Sequence, residues 1–221
     1  MKAMQDIPWL AEESFTFCLE GTPVKKINDF NPMEDLLTAQ FALPADLREL
    51  NLRTLTPFQR ALMVIDGTVT KFIEAYTMEQ IEIVRLGQEI RPLAVDNQWL
   101  EAEKGSSVLM RQVLLRGKGS YTCYAYAPSL IILDRLPQFI KEGLDLEGGG
   151  IGRILYGNRW ETHRELLWWG KETLKNVPDA IRNMAGVEAL SRTYRIIAGG
   201  RPIMLINEKF PVHGDAMPAH H

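Results

Sequence analysis

Two charged residues stand where the surrounding pattern is apolar. Arg111 lies inside SSVLMRQVLLR (106–116). If that segment is extended, Leu109, Val113 and Leu115 share its side, because strand side chains alternate between two faces. Glu208 lies inside PIMLINEKF (202–210), on one side with Met204, Ile206 and Phe210. A charge withdrawn from water without a partner is costly or loses its charge. Two readings follow. Either these are structural charges, buried as a pair or reaching out at strand ends, or they build a small-acid site. In such a site the guanidinium grips a carboxylate as a fork and the glutamate moves a proton. The pattern alone admits both, since structural ion pairs perturb protonation as well.

Other chemistry-bearing residues have weaker company. The run Gly148-Gly149-Gly150-Ile151-Gly152 invites a phosphate-loop reading. It lacks the GxGxxG spacing and the GK[ST] ending, and it does not follow a βαβ pattern. It reads instead as a turn entering a helix, whose N–H groups can still face an anion. His163, in RWETHREL, has the type of a general base, but nothing around it completes a triad. It also lacks HExxH spacing, and no GxSxG elbow occurs. Trp160, Trp168 and Trp169 read as core or lid aromatics.

The elements that must position Arg111 and Glu208 are legible as two hairpins. The first joins 106–116 to SYTCYAYA (120–127) through Gly117-Lys118-Gly119, and the second joins SRTYRIIA (191–198) to 202–210 through Gly199-Gly200-Arg201. EQIEIVRLGQEI (79–90) alternates as a further strand, and RWETHRELLWWG (159–170) reads as another on its Trp and Thr content. Helical spacing runs through PFQRALMVIDG (57–67), TVTKFIEAY (68–76) with Thr68 as its expected cap, and LPQFIKEGL (136–144). Shorter helices are expected over 31–37, 44–50, after the glycine run, and over 176–186. Consecutive hairpins imply an antiparallel sheet with helices packed on it, an α+β fold.

The chain of 221 residues suits one large domain, with residues 1–57 as an extension packed on it, a domain over 58–213 and a tail over 214–221. A formal net charge of -3 gives nucleic-acid binding no electrostatic support. Cys18 and Cys123 are far apart in sequence and read as reduced residues of a cytoplasmic protein. No apolar run approaches the length of a membrane span, and acidic residues stand where a signal peptide needs an apolar core.

In order, four blocks resemble the chorismate pyruvate-lyase family: IDGTVTKFIE (65–74), LMRQVLLRGKGSYTCYAYA (109–127), GIGRILYG (150–157) and RTYRIIAGGRPIMLINEKFP (192–211). The resemblance runs over about residues 58 to 211 and selects the same Arg111 and Glu208. It implies a six-stranded antiparallel sheet with helices on one side and helical flaps over an internal cavity. Arg111 then matches the arginine that holds a ligand carboxylate, and Glu208 the carboxylate at the hydroxyl end of the bound aromatic acid. Val69 matches a flap position, and Ile151 a position whose backbone meets the ligand, with Gly152 beside it.

The implied reaction is the cofactor-free, metal-free elimination of pyruvate from chorismate, giving 4-hydroxybenzoate for quinones or other phenolic products. In it Glu208, kept protonated by burial, would serve as general acid. Asn207, Lys209 and Tyr126 depart from the family pattern and bear on which acid is bound. A small-acid sensor of the same fold, or a lyase for a related hydroxylated acid, are the alternatives. The sensor would be expected to carry a winged helix ahead of the domain, and residues 1–57 are acidic with no legible recognition helix.

Overall fold

A computed structural model describes residues 35–146 and 150–212. The helix expected over 31–37, Cys18, Gly148 and Gly149 of the glycine run, and the tail therefore lie partly or wholly outside the described residues. Six strands form one antiparallel sheet: β1 (Ile81–Pro92), β2 (Ser107–Gly117), β3 (Cys123–Ile131), β4 (His163–Thr173), β5 (Glu188–Ala198) and β6 (Arg201–Pro211). Their order is β1-β2-β3-β6-β5-β4. Each half of the chain contributes three consecutive strands, and the halves join where β3 pairs with β6.

The hairpin turns follow from local chemistry. Gly199 and Gly200, at φ 55° and 75°, close the β5–β6 turn in the left-handed region that glycine enters without penalty. The β2–β3 turn is tied by a carboxylate. Glu79 Oε1 accepts from the backbone N–H groups of Gly119 (2.8 Å) and Ser120 (2.6 Å).

Four α-helices cover one face: α1 (Pro57–Val64), α2 (Val69–Thr77), α3 (Gln138–Asp145) and α4 (Ile151–Gly157). Helix α1 begins in a capping box. Gln59 N–H donates to Thr56 Oγ1, and Gln59 Oε1 accepts from Thr56 N–H, with Pro57 in the first turn. Phe58, Leu62, Met63, Val69 and Ile73 then pack against Val113, Leu115, Ala125, Ala127, Leu190 and Phe210 of the sheet. Ile140 and Leu144 of α3 and Leu155 of α4 pack against Leu109, Ile131, Ile196, Met204 and Ile206. Each such side chain contributes about 1.5–3 kcal/mol when fully buried, so the helices are held by the sheet face rather than by their short lengths.

The opposite face is covered by irregular segments, among them a 3-10 turn (Asp179–Met184) whose Ile181 and Met184 pack on Leu114, Tyr126 and Leu174. The expected helix over 44–50 is not formed. Residues 45–46 are a turn, and Arg48 instead exchanges backbone bonds with Lys171 of β4 (2.8 and 2.9 Å). Thr38 and Ala39 likewise donate to Leu166 and Leu167 (2.9 Å each). Sheet-edge donors and acceptors demand partners, and here that demand overrides helix propensity.

β4 carries a bulge between Leu166 and Trp168. It turns both Leu167 and Trp168 to the irregular face, where Trp168 meets Trp99 edge-on at 5.1 Å, and returns Trp169 to the helical face. Burial pushes the Cys123 thiol up to about 12, so it stays protonated at neutral pH. Among the described residues no helix is long and apolar enough to cross a membrane.

Candidate active site

The side-chain parity read from the sequence holds in the sheet. A single row crosses five strands: Arg111, Ser129, Ile206, Tyr194 and Leu166 are successive partners. Glu208 stands two residues along β6 from Ile206, on the same face, opposite Arg192 of β5. Arg111 and Glu208 thus rise from strands two steps apart, roughly 10 Å at the backbone given the usual interstrand spacing. Both line a cavity of about 70 Å³ between the sheet and the flaps. Val69 at the start of α2, and Ile151 and Gly152 at the start of α4, line the same cavity. All five residues singled out in the sequence therefore surround one space. His163 does not; it is exposed at the first position of β4.

Arg111 is 2% exposed. Its Nε donates to Gln88 Oε1 at 3.2 Å, and its carbonyl accepts from Ser129 Oγ at 3.2 Å. Burial, and secondarily the charge of Arg85, lower its pKa to about 10, so it remains a cation at neutral pH. A guanidinium in so little water binds a carboxylate more strongly than one at the surface, because competing hydration is already lost.

Glu208 is held from both sides. Oε2 accepts from Arg192 Nε at 2.8 Å and Oε1 accepts from the Tyr194 hydroxyl at 3.0 Å. Each of its carboxyl oxygens thus has a protein donor, one of them charged. Arg192 also donates from Nη1 to the carbonyls of Met63 (3.3 Å) and Ile65 (2.9 Å), tying the end of α1 to the sheet. Burial, then the charge of Glu208, raise the pKa of Tyr194, which keeps its proton and goes on donating. Arg192 and Tyr194 escaped the sequence reading although the same parity test finds them: Leu190, Arg192, Tyr194 and Ile196 share one face.

The flaps meet over the cavity. Thr68 stands at the N-cap of α2 but, contrary to expectation, its side chain caps nothing. Its methyl lies instead against Gly152, where an added Cβ would come within 2.5 Å of Cγ2. Gly150 is as close to Ile83, at 2.3 Å from an added Cβ. These glycines let α4 settle onto α2 and β1.

The departures from the family pattern lie elsewhere. Asn207 and Lys209 flank Glu208 and so point to the irregular face, where Lys209 Nζ pairs with Glu172 Oε2 at 2.7 Å. Tyr126, opposite Lys209, packs there with Leu114. The expectation that these residues bear on the bound acid does not hold for this cavity, since strand alternation turns them away from it.

The comparisons agree with this geometry. PhnF from Mycobacterium smegmatis superposes with a TM-score of 0.52 over 72% of this chain and 70% of that one, at 11% identity. The effector domain of the same protein gives 0.50 over 70% of this chain and 95% of that one, at 12% identity, a likeness of fold. A chorismate pyruvate-lyase of Mycobacterium leprae is 31% identical over 165 residues, 72% of this chain and 76% of that protein. That of Mycobacterium tuberculosis H37Rv is 28% identical over 169 residues, covering 74% and 84%. The family model described as chorismate pyruvate-lyase Rv2949c-like matches residues 63–217, a span that holds the sheet, both flaps, Arg111 and Glu208, and the chain belongs to that family.

Proposed function

We propose that the chain is itself a chorismate pyruvate-lyase, releasing pyruvate and 4-hydroxybenzoate without a cofactor. The observation that carries this reading is the placement of Arg111 and Glu208 on one face, two strands apart, lining one cavity. Chorismate carries a ring carboxylate at one end, a hydroxyl opposite it, and an enolpyruvyl ether on the neighbouring carbon. In the reaction the ring carbon–ether oxygen bond breaks and its electron pair leaves with enolpyruvate. The hydroxyl-bearing carbon loses its proton and the ring becomes aromatic. Enolpyruvate takes up one proton at its methylene carbon to become pyruvate, so atoms and charge balance.

Arg111 holds the ring carboxylate and fixes the far end of the ring over Glu208. Glu208, a carboxylate steadied by Arg192 and Tyr194, accepts the ring-carbon proton and returns it to the departing enol. Arg192 remains paired throughout, so the site's charge is preorganised rather than rebuilt at each turnover. The cavity of about 70 Å³ is well below the ~300 Å³ typical of sites for drug-sized ligands. Substrate entry therefore requires the flap contact between Thr68 and Gly152 to open.

The experiment is direct. Purified protein is mixed with chorismate and both products are followed by chromatography. Equimolar 4-hydroxybenzoate and pyruvate, lost in Glu208→Gln, is the expected result. No turnover would overturn the lyase reading, and thermal stabilisation by 4-hydroxybenzoate alone would then favour a small-acid sensor.

A further inference from the structure

The substrate proposed above is a dianion, and enclosing it calls for two cations. Among the described residues four arginines rise from the helical face of the sheet near the cavity, and one of them, Arg85 of β1, stands beside Arg111 and donates from Nη1 to the Asp145 carbonyl at 3.3 Å, outside the cavity lining. Arg192 is committed, with Nε on Glu208 and Nη1 on two carbonyls of α1 and its following loop. Arg111 is assigned to the ring carboxylate. The fourth is Arg164 of β4, two residues from Leu166 and on the same face.

Arg164 lines the cavity together with Arg111, Tyr194 and Glu208, and also lines an adjoining recess with Ile65 and Asp66. Its Nε is buried and has no hydrogen-bond partner. Its Nη1 makes a 3.3 Å ion pair with Asp66, whose own side chain is 73% exposed. An exposed pair of that length stabilises little, whereas a buried unbonded donor carries a penalty that a ligand oxygen would remove. Tyr194 lies within range of the charges of both Arg192 and Arg164. Arg164 pairs with Ile196 across β4 and β5, so strand order puts it on the Glu208 side of the cavity, with β5, β6 and β3 between it and Arg111 of β2.

We propose that Arg164 binds the second carboxylate of the substrate, the one that departs in pyruvate, and so selects dicarboxylates over monocarboxylates. The inference rests on the lyase reading for the identity of that group. In this arrangement Arg111 holds the half of the molecule that stays aromatic and Arg164 the half that leaves. Breaking the ether bond places the two carboxylates on different molecules. Pyruvate can then leave through the Asp66 side while 4-hydroxybenzoate remains on Arg111. The uncapped start of α2, where Val69 and Thr70 line the cavity, lies beside the same group.

The test compares two stable acids by calorimetry on wild-type protein, Arg164→Gln and Arg164→Lys. One is 4-hydroxybenzoate, with a single carboxylate. The other is 4-carboxyphenoxyacetate, with a second carboxylate across an ether oxygen. Wild-type protein is expected to prefer the dicarboxylate, and Arg164→Gln to lose roughly 10–100-fold of that affinity while 4-hydroxybenzoate is held as before. Arg164→Lys, which keeps the charge without the fork, is expected to fall between them. Equal weakening of both acids, or an undiminished dicarboxylate preference in Arg164→Gln, would overturn the assignment, as would binding of neither acid by wild-type protein. Chorismate turnover, measured on the same samples, separates this inference from the one beneath it. A dicarboxylate preference that depends on Arg164 in a protein that makes no pyruvate would sink the lyase reading and leave Arg164 as a carboxylate site.

Discussion

Each face of the sheet holds a cavity lined by charged residues, and the two are built on opposite principles. The cavity on the irregular face is the larger, about 290 Å³ against about 70 Å³. Its polar groups answer one another. Lys209 pairs with Glu172, and Asn207 Nδ2 donates to Ser191 Oγ at 2.8 Å and Thr193 Oγ1 at 2.9 Å. The cavity under the helices holds Arg111, Glu208 and Arg164, and one of its donors, Arg164 Nε, is left unbonded. Size does not decide between the faces, since a cavity of about 750 Å³ also adjoins the flaps at Thr68, Gly152 and Arg164. An incompletely satisfied polar group, expensive to bury, is the better mark of a place prepared for a ligand.

The sharpest way to break this contrast is Glu208→Gln. The amide still accepts from Arg192 but no longer takes a proton. kcat is expected to fall by about 10²–10⁴-fold, with the melting temperature near that of wild type. A fully active variant would move the chemistry off this face. Arg111→Gln comes next. It should weaken 4-hydroxybenzoate binding by roughly 10–100-fold, read by calorimetry, and unchanged binding would return Arg111 to a structural role.

A smaller effect is expected from Gly152→Ala, whose Cβ would press on Thr68 and part the flaps. Overpacking of this kind costs about 1–3 kcal/mol, so reduced turnover with near-normal secondary structure by circular dichroism is expected. The other face supplies the control. Lys209→Met strands the buried Glu172 carboxylate and should lower stability by about 1–3 kcal/mol while leaving kcat unchanged. Loss of turnover at normal stability in that variant would show that the two faces are not separable.

Much of this site was legible because a regular strand converts sequence parity into geometry. Arg111, Glu208 and, in retrospect, Arg192 all follow from alternation along β2, β6 and β5. The same parity turns Asn207 and Lys209 away, which the likeness to relatives alone obscures. Arg164 was not legible. The bulge after Leu166 shifts the alternation of β4 by one residue, so His163, Arg164, Trp168 and Trp169 give no consistent face from spacing. Residues 44–50 were misread for a different reason. Their helix propensity is local, while the edge of β4 that claims Arg48 lies far along the chain. The uncapped Thr68 belongs with these cases, since its methyl is fixed by Gly152 of another flap.

The strand order has a kinetic meaning. Strands β1 to β3 and β4 to β6 each form by local hairpin closure, and only the β3–β6 seam joins them. Arg111 belongs to one side of that seam, and Glu208, Arg192 and Arg164 to the other. Neither half alone contains a binding site, and each exposes an unpaired strand edge until its complement arrives. Such long-range pairing is slow to form and vulnerable to aggregation on the way. During synthesis Arg111 leaves the ribosome long before Glu208 exists, so ligand-binding competence arrives as the last event of folding, in the same step that closes the sheet.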